Sequence, residues 1–288
     1  PMPHQVADLR ELRRHLRPEE LPPWRAALVQ RELNGGKASI DELARLADRP
    51  EVTTLTVSGL EPKTLEFLCS RFGQQLTAIH FWKCPRLPDL SPLEQMPRLT
   101  QLAFYWNQKA TRLWDFRKTP ALRGLQFDDF GKLERLDDLA RAASLDTLVF
   151  GNAVWNKFSC ASLEPLAGLR GLKVLAFNAK AIGDGRLAPL AALTGLAELD
   201  FPSNLFRTEQ LAWLRAQLPA TVSTSVLQAW RPLRQPLTLR GRSLDVLLCG
   251  KGKPFLSSTA DAARIARHVA EFDALVQRYA GSGEPEPV

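Results

Sequence analysis

The chain has 288 residues, of which 45% are hydrophobic and 24% charged, so it can bury one large core or two small ones, and disorder as its overall state is excluded. The formal charge of +7 would suit a nucleic-acid partner, but basic and acidic residues are mixed along most of the chain, which argues against that partner. No apolar run approaches the roughly 20 residues that cross a bilayer, so we expect no membrane association.

The first part of the chain, residues 2–50, is predicted to form a helical N-terminal cap. Three leucines have helical spacing, and a second group with similar spacing follows Pro22 and Pro23. The two groups are Leu9, Leu12 and Leu16, then Trp24, Leu28 and Leu33. The run Ser39-Ile40-Asp41-Glu42 has the pattern of a capping box and predicts another helix start.

A repeated pattern of two leucine-like residues and a phenylalanine, L-x-x-L-x-[LF], dominates residues 51–220. Its first positions are separated by 24, 23, 23, 23, 27 and 24 residues. The copies are Val52, Leu55, Val57; Leu76, Ile79, Phe81; Leu99, Leu102, Phe104; Leu122, Leu125, Phe127; Leu145, Leu148, Phe150; Leu172, Leu175, Phe177; and Leu196, Leu199, Phe201. One coil of this length cannot bury its apolar face alone, so stacked coils must share a continuous core. The pattern predicts a solenoid of about seven repeats.

These copies resemble the leucine-rich-repeat family in its short-repeat form, either internalin-like or of a bacterial cytoplasmic type. The resemblance implies an α/β solenoid, with a curved parallel β-sheet on its concave face and short helical turns on its convex face. Prolines support the helical turns, because Pro fits the first position of a helix. They are Pro92, Pro165 and Pro189, followed by apolar Met96, Leu169 and Leu193. The family's conserved asparagine is kept only as Asn107 and Asn204.

Residues 221–281 are predicted to form a C-terminal cap. The run from Asp245 to Cys249 has the composition of a strand, and Ser258–Asp261 can cap a helix that extends to about Tyr279. Ile265, Val269, Phe272 and Val276 would form its apolar face. The last residues, 282–288, are predicted to be a disordered tail.

The four cysteines indicate the cellular compartment. Cys69, Cys84, Cys160 and Cys249 lie among apolar residues and are interpreted as buried free thiols. A secreted domain of this size more often pairs its cysteines, and no secretory signal is visible. We therefore expect a cytoplasmic protein, and the excess of arginine over lysine favours a bacterial source.

Residues that could carry out chemistry are few and scattered. His80 and Cys84 are four residues apart, but the register directs His80 outward and Cys84 inward, so we expect no shared zinc ion. Gly250–Lys253 lacks the full phosphate-loop pattern and is interpreted as a tight turn. Cys249 lacks the basic or histidine neighbours of a reactive thiol. The sequence therefore predicts no catalytic residue, cofactor or metal, and a protein that is not an enzyme.

The concave face is the predicted binding surface. Counted from the first leucine of each repeat, positions three, five and seven point to this face and position eight lies at its edge. Adjacent strands would bring Trp82, Tyr105 and Trp106 into one aromatic patch, and large aromatics with a polar rim are typical of interface hot spots. The predicted partner-binding residues are His80, Trp82, Gln101, Tyr105, Trp106, Gln126, Asp128, Asp129, Asn152, Asn178 and Asp200. The alternative is that Trp82 and Trp106 pack against the N-terminal helices and stabilise the fold.

Three functions stay open at this point. The favoured one is a protein-binding module, monomeric alone, such as a bacterial cytoplasmic adaptor or a toxin-neutralising immunity protein. The second is an effector or a ubiquitin-ligase-like enzyme delivered into another cell. The third is a weak nucleic-acid binder that uses the basic segment 231–253. In that segment a single acidic residue, Asp245, stands against Arg231, Arg234, Arg240, Arg242, Lys251 and Lys253.

Overall fold

The elements of secondary structure follow the predicted coils along the chain. The structure, a computed structural model, describes residues 4–288, so the predicted start of the N-terminal cap at residue 2 lies outside the described residues. The strands are β1 (Arg25–Leu28), β2 (Thr54–Val57), β3 (Ala78–Trp82), β4 (Gln101–Asn107), β5 (Gly124–Phe130), β6 (Thr147–Gly151), β7 (Ser159–Cys160), β8 (Val174–Asn178), β9 (Ala181–Ile182), β10 (Glu198–Asp200), β11 (Ser223–Thr224), β12 (Trp230–Leu239), β13 (Arg242–Leu248) and β14 (Phe255–Leu256). The α-helices are α1 (Leu9–Arg13), α2 (Ile40–Ala44), α3 (Pro62–Phe72), α4 (Thr208–Gln217) and α5 (Ala262–Tyr279).

One parallel sheet runs the length of the solenoid, in the order β1-β2-β3-β4-β5-β6-β8-β10-β11. The second apolar residue of each repeat pairs with that of the next, from Leu55 through Ile79 and Leu102 to Leu199. This register confirms the predicted repeat, and the fold is a leucine-rich-repeat solenoid.

Stacked aromatic rings line the core beneath this sheet. The rings of Phe127, Phe150, Phe177 and Phe201 lie nearly parallel, with centroids 5.1–5.4 Å apart. Leu125 and Leu148, at the centre of the stack, are fully buried as predicted. Repeating the same residue type at one register position therefore builds a continuous core, in which each coil buries the apolar surface of its neighbours.

The sheet has one more strand at each end than the seven predicted. The prediction of helix around Trp24 and Leu28 is wrong, because β1 lies there and pairs in parallel with β2. Leu33, assigned to the same helical face, is 89% exposed. The helical spacing of these apolar residues was coincidental. Because β1 spans only four residues, the periodicity of its apolar residues cannot distinguish a strand from a helix. At the other end β11 pairs with β10, beyond the predicted limit at residue 220.

The convex side is built mainly from short 3-10 turns. Three of them have a predicted proline as their second residue, at Ser91–Gln95, Glu164–Leu166 and Ala188–Ala192. The following residues Met96, Leu169 and Leu193 are buried. The capping box at Ser39 is also confirmed, since its hydroxyl and the Glu42 carboxylate bind each other's backbone amides before α2.

The C-terminal cap combines the β12-β13-β14 antiparallel sheet with α5. The predicted strand at 245–249 lies mostly within β13, and α5 ends at Tyr279 as predicted. Phe272 and Tyr279 are buried in the same apolar cluster as Leu211 and Leu214 of α4. The helix therefore covers the apolar surface that the last coil would otherwise expose to water.

The prediction of a disordered tail at 282–288 is wrong. Glu286 is 3% exposed, and its carboxylate accepts hydrogen bonds from the amides of Leu187 (2.6 Å) and Ala188 (2.9 Å). It also accepts one from the Gln210 amide at 2.7 Å and pairs with Arg186 at 3.0 Å. The tail is ordered because one acidic side chain satisfies the otherwise unpaired amides that begin a 3-10 turn.

Candidate protein-binding surface

The N-terminal segment lies across the concave face instead of covering the end of the solenoid. Val6, Leu9 and Leu12 pack against Ala78 and Ala103 of the central strands. The guanidinium of Arg25, in β1, donates hydrogen bonds to the carbonyls of Leu12 (2.5 Å), Glu11 (3.0 Å) and Arg14 (3.2 Å). A buried cation thus holds the C-terminal end of α1, where carbonyls lack helical partners. Sequence reasoning missed this contact, because an arginine at a strand start carries no signal of its partner.

The strand residues under α1 either contact this helix or are small enough to let it approach the sheet. Gln101 is buried, and its amide donates to the Ala7 carbonyl at 3.5 Å. The next strand has Gly124 at the same level, where a Cβ would lie 1.7 Å from Oε1 of Gln101. His80 is also buried, and burial together with Arg13 and Arg25 lowers its pKa to about 4. These residues support α1, so Gln101 and His80 are not open to a partner while α1 is in place.

The C-terminal half of the concave face stays open as a groove of about 570 Å³. The predicted residues Gln126, Asp128, Asn152, Asn178 and Asp200 line it, together with Arg13 and Arg231. Asn178 and Asp200 are exposed, and Asn152 is half-buried. Gln126 is buried and donates its amide to the Asp128 carboxylate at 2.7 Å. The structure therefore brings these predicted residues together on one surface.

Asp128 is a buried carboxyl group whose ionised form is disfavoured by its surroundings. It is 8% exposed, and burial raises its pKa to about 6, although the Gln126 amide and Arg13 act in the opposite direction. Perturbed carboxyl groups that line an open groove are more often functional than scattered surface ones. The destabilisation can be measured directly, because asparagine has nearly the same shape and no charge.

We expect Asp128→Asn to raise the free energy of unfolding near pH 7 by about 1–3 kcal/mol. The folded-state pKa of Asp128 lies above its ordinary value of 3.8, so ionisation destabilises the fold as the pH rises from about 4 through 6. Urea unfolding near pH 7 and near pH 4 checks this. The gain should vanish near pH 4, and an unchanged or lower stability near pH 7 would contradict the burial argument.

The aromatic patch forms where the strands end, beyond the area that α1 covers. Trp82 and Tyr105 stack with centroids 4.7 Å apart, and Trp82 is 37% exposed. Tyr105 and Trp106 are half-buried. Neither Trp82 nor Trp106 belongs to the cluster that α1 makes with the sheet, which favours an open patch over the alternative of packing against the N-terminal helix.

Position eight of the first four coils has a left-handed backbone. Its φ is +66° at Gly59, +54° at Lys83, +69° at Trp106 and +55° at Asp129. This conformation is strained for side chains other than glycine, and most strained for bulky ones. A tryptophan at this position is unfavourable for folding, whereas the glycine of the earlier coil is not. At Trp106, whose side chain is only half-buried, this strain favours a role outside folding.

Asp129 and Asn152 act within the chain. The Asp129 carboxylate accepts hydrogen bonds from the amides of Ala153 (2.9 Å), Val154 (2.9 Å) and Trp155 (3.3 Å). The Asn152 side-chain oxygen accepts two more hydrogen bonds from the same loop, and the backbone amide of Asn152 donates one to the Asn178 carbonyl at 2.7 Å. Both residues therefore shape the edge of the surface, a task that their predicted positions in the repeat did not reveal.

The sequence candidates for a zinc site and for a reactive thiol are buried side chains. His80 and Cys84 are both buried, and no group of three or more possible metal ligands occurs in residues 4–288. Burial raises the pKa of the Cys249 thiol to about 11. The basic segment forms the exposed β12–β13 hairpin, in which Arg242 pairs with Asp261 at 2.9 Å. No helix within residues 4–288 is long and apolar enough to cross a membrane.

Two solved structures are similar to part of this chain, which spans less than two thirds of the length of each. Internalin C2 of Listeria monocytogenes matches with 21% identity and a TM-score of 0.43, over 55% of this chain and 64% of that chain. The internalin inlF of the same organism matches with 15% identity and a TM-score of 0.40, over 66% of this chain and 64% of that chain. No protein-family model and no curated protein sequence matches the chain. The fold itself, an in-register sheet of nine parallel strands, is that of a leucine-rich-repeat solenoid.

Proposed function

We propose that this chain is a protein-binding module whose partner docks on the open part of the concave face and on the aromatic patch. The observation that carries the proposal is the stack of the exposed Trp82 on the half-buried Tyr105, beside Trp106 with its left-handed backbone. Exposed large aromatics on a rigid sheet bury much area at little entropic cost, which is the property of interface hot spots.

The neighbouring groove extends this surface toward the C-terminal hairpin. It places the raised-pKa carboxyl of Asp128 among Arg13, Asp200 and Arg231, so charges of both signs border the small apolar side chains of Val149 and Ala176. An apolar centre with a charged rim suits a folded protein partner. A cytoplasmic location and the absence of enzymatic activity are part of this proposal, and an adaptor or an immunity protein would each fit it.

The double variant Tyr105→Ala, Trp106→Ala should lose the partner. Each substitution should weaken binding by about 2 kcal/mol, because each removes a large contact area from the centre of the interface. The melting temperature should hardly change, since neither residue is fully buried. The full chain is used to capture its partner from the source organism, the partner is identified by mass spectrometry, and Kd is then measured with purified proteins.

A matched pair of exposed aromatics provides the control. Trp230 and Phe255, which are 37% and 43% exposed, lie on the C-terminal antiparallel sheet. Replacing both by alanine should leave partner binding unchanged. If the Tyr105 and Trp106 variant retains the captured partner while the control loses it, the binding site lies on the C-terminal cap and the proposal is wrong.

A further inference from the structure

A pocket opens next to the aromatic patch, at the edge where β4, β5 and β6 end. Its volume is about 500 Å³. The indoles of Trp106 and Trp155 line it together with Lys109, Lys132 and Lys157. We name these five residues the tryptophan pocket. Only Trp106 belongs to the surface described above, so the other four residues need an explanation of their own.

A fixed loop forms one side of the tryptophan pocket. The coil of β6 is 27 residues long, whereas the coils before it have 23 or 24, and the extra residues lie in the loop 152–158. Asp129 binds three amides of this loop, and the Asn152 side chain accepts from the amides of Lys157 (3.1 Å) and Phe158 (2.8 Å). Phe158 is buried against Phe150. The loop is therefore held from both ends before any ligand arrives.

This fixed loop nevertheless presents apolar side chains to water. Trp155 is 50% exposed and Val154 is 65% exposed. The Lys157 ammonium lies 5.8 Å from the centroid of the Trp155 ring, a cation–π distance that keeps positive charge beside the indole. An indole that a rigid loop holds in water does not stabilise the core by burial. The arrangement is typical of a surface that another molecule covers.

The charge of the tryptophan pocket is one-sided. Lys109, Lys132 and Lys157 are exposed, and none of them forms an ion pair within residues 4–288. The one carboxylate in the lining, Asp129, is occupied by the three loop amides. Three free ammonium groups around two indoles complement an anionic ligand that also carries apolar surface.

We infer that the tryptophan pocket binds an acidic segment of the protein partner, with an apolar or aromatic side chain between the two indoles and flanking carboxylates on the lysines. This inference rests on the proposed function, because Trp106 joins the pocket to the aromatic patch. A nucleic-acid strand would need a longer basic track for its phosphates. The pocket spans only three neighbouring coils, roughly 10 Å. The binding surface beside it continues toward the acidic residue Asp128, which would repel phosphates.

The test uses the full chain and a defined probe. The probe is a short fluorescein-labelled peptide with a central tryptophan flanked on both sides by glutamates, and its binding is followed by fluorescence polarisation. A peptide with glutamine in place of glutamate tests the role of charge, and an oligothymidylate tests nucleic acid. The pocket variant is Lys109→Gln, Lys132→Gln, Lys157→Gln. The control variant, Arg234→Gln, Arg240→Gln, Lys251→Gln, removes the same charge from exposed positions of the C-terminal cap.

Saturable binding of the acidic peptide is expected, weakened roughly tenfold in the pocket variant and unchanged in the control. Both variants should melt like the parent chain, because all six residues are exposed. Equal binding of the glutamine peptide, equal weakening in the control, no saturable binding, or preferred binding of the oligothymidylate would each overturn the inference.

Tyr105→Ala separates this result from a failure of the proposed function, since Tyr105 does not line the pocket. If Tyr105→Ala weakens partner binding by about 2 kcal/mol while the pocket variant binds the peptide normally, only the inference is wrong. If Tyr105→Ala leaves the Kd for the partner unchanged, the proposed function is wrong, and the peptide result still decides whether the pocket prefers acidic peptides.

Discussion

Replacing Leu125 by alanine should lower the free energy of unfolding by about 2–5 kcal/mol. Leu125 is 0% exposed and pairs with Leu102 on one side and Leu148 on the other. Both neighbours are backbone-paired into the sheet and cannot move far into the space that the side chain leaves. The cavity term therefore adds to the loss of transfer free energy. Urea or guanidinium unfolding measures the change.

A leucine outside the core gives the control for this variant. Leu33 is 89% exposed, so Leu33→Ala should change the free energy of unfolding by less than about 0.5 kcal/mol. If Leu125→Ala shifted the unfolding midpoint no more than Leu33→Ala does, Leu125 would not occupy the centre of the core, and the register of the repeat would be wrong.

Removing residues 241–288 should abolish cooperative unfolding and cause aggregation. The deletion takes away β13, which pairs with β12, and it takes away Phe272 and Tyr279, which cover the apolar surface of α4. The fragment would expose an unpaired strand edge and an open end of the solenoid core at the same time. Light scattering after gel filtration, together with circular dichroism during heating, measures both effects.

A shorter deletion distinguishes the cap from the tail. A chain that ends at residue 283 keeps α5 and loses Glu286, so it should stay monomeric and unfold cooperatively. Its stability should fall by about 1–3 kcal/mol, because the amides of Leu187 and Ala188 lose their buried acceptor. A monomeric 1–240 fragment with the melting temperature of the full chain would show that α5 is not a cap.

The sequence by itself determined the solenoid, its central seven strands and the identity of its core. A residue such as Leu125 or Phe150 repeats at a fixed interval, and stacking identical coils is the arrangement that buries all copies together. The proline-initiated turns and the helix that ends at Tyr279 were also predictable, because proline and helical periodicity act within a few residues. The aromatic patch followed from the same register, since Trp82 and Tyr105 occupy one position in neighbouring coils.

Only the tertiary structure decided which parts of the concave face are open. Local periodicity predicted helix α1, but its place over Ala78 and Ala103 depends on Arg25 and on the space beside Gly124, residues far apart in sequence. The ordered tail likewise depends on Glu286 meeting amides about a hundred positions earlier. The structure also joined Trp106 to Trp155 across an inserted loop that Asp129 holds in place. Such contacts carry no periodic signal, because each is made once, between side chains that come together only after the coils have stacked.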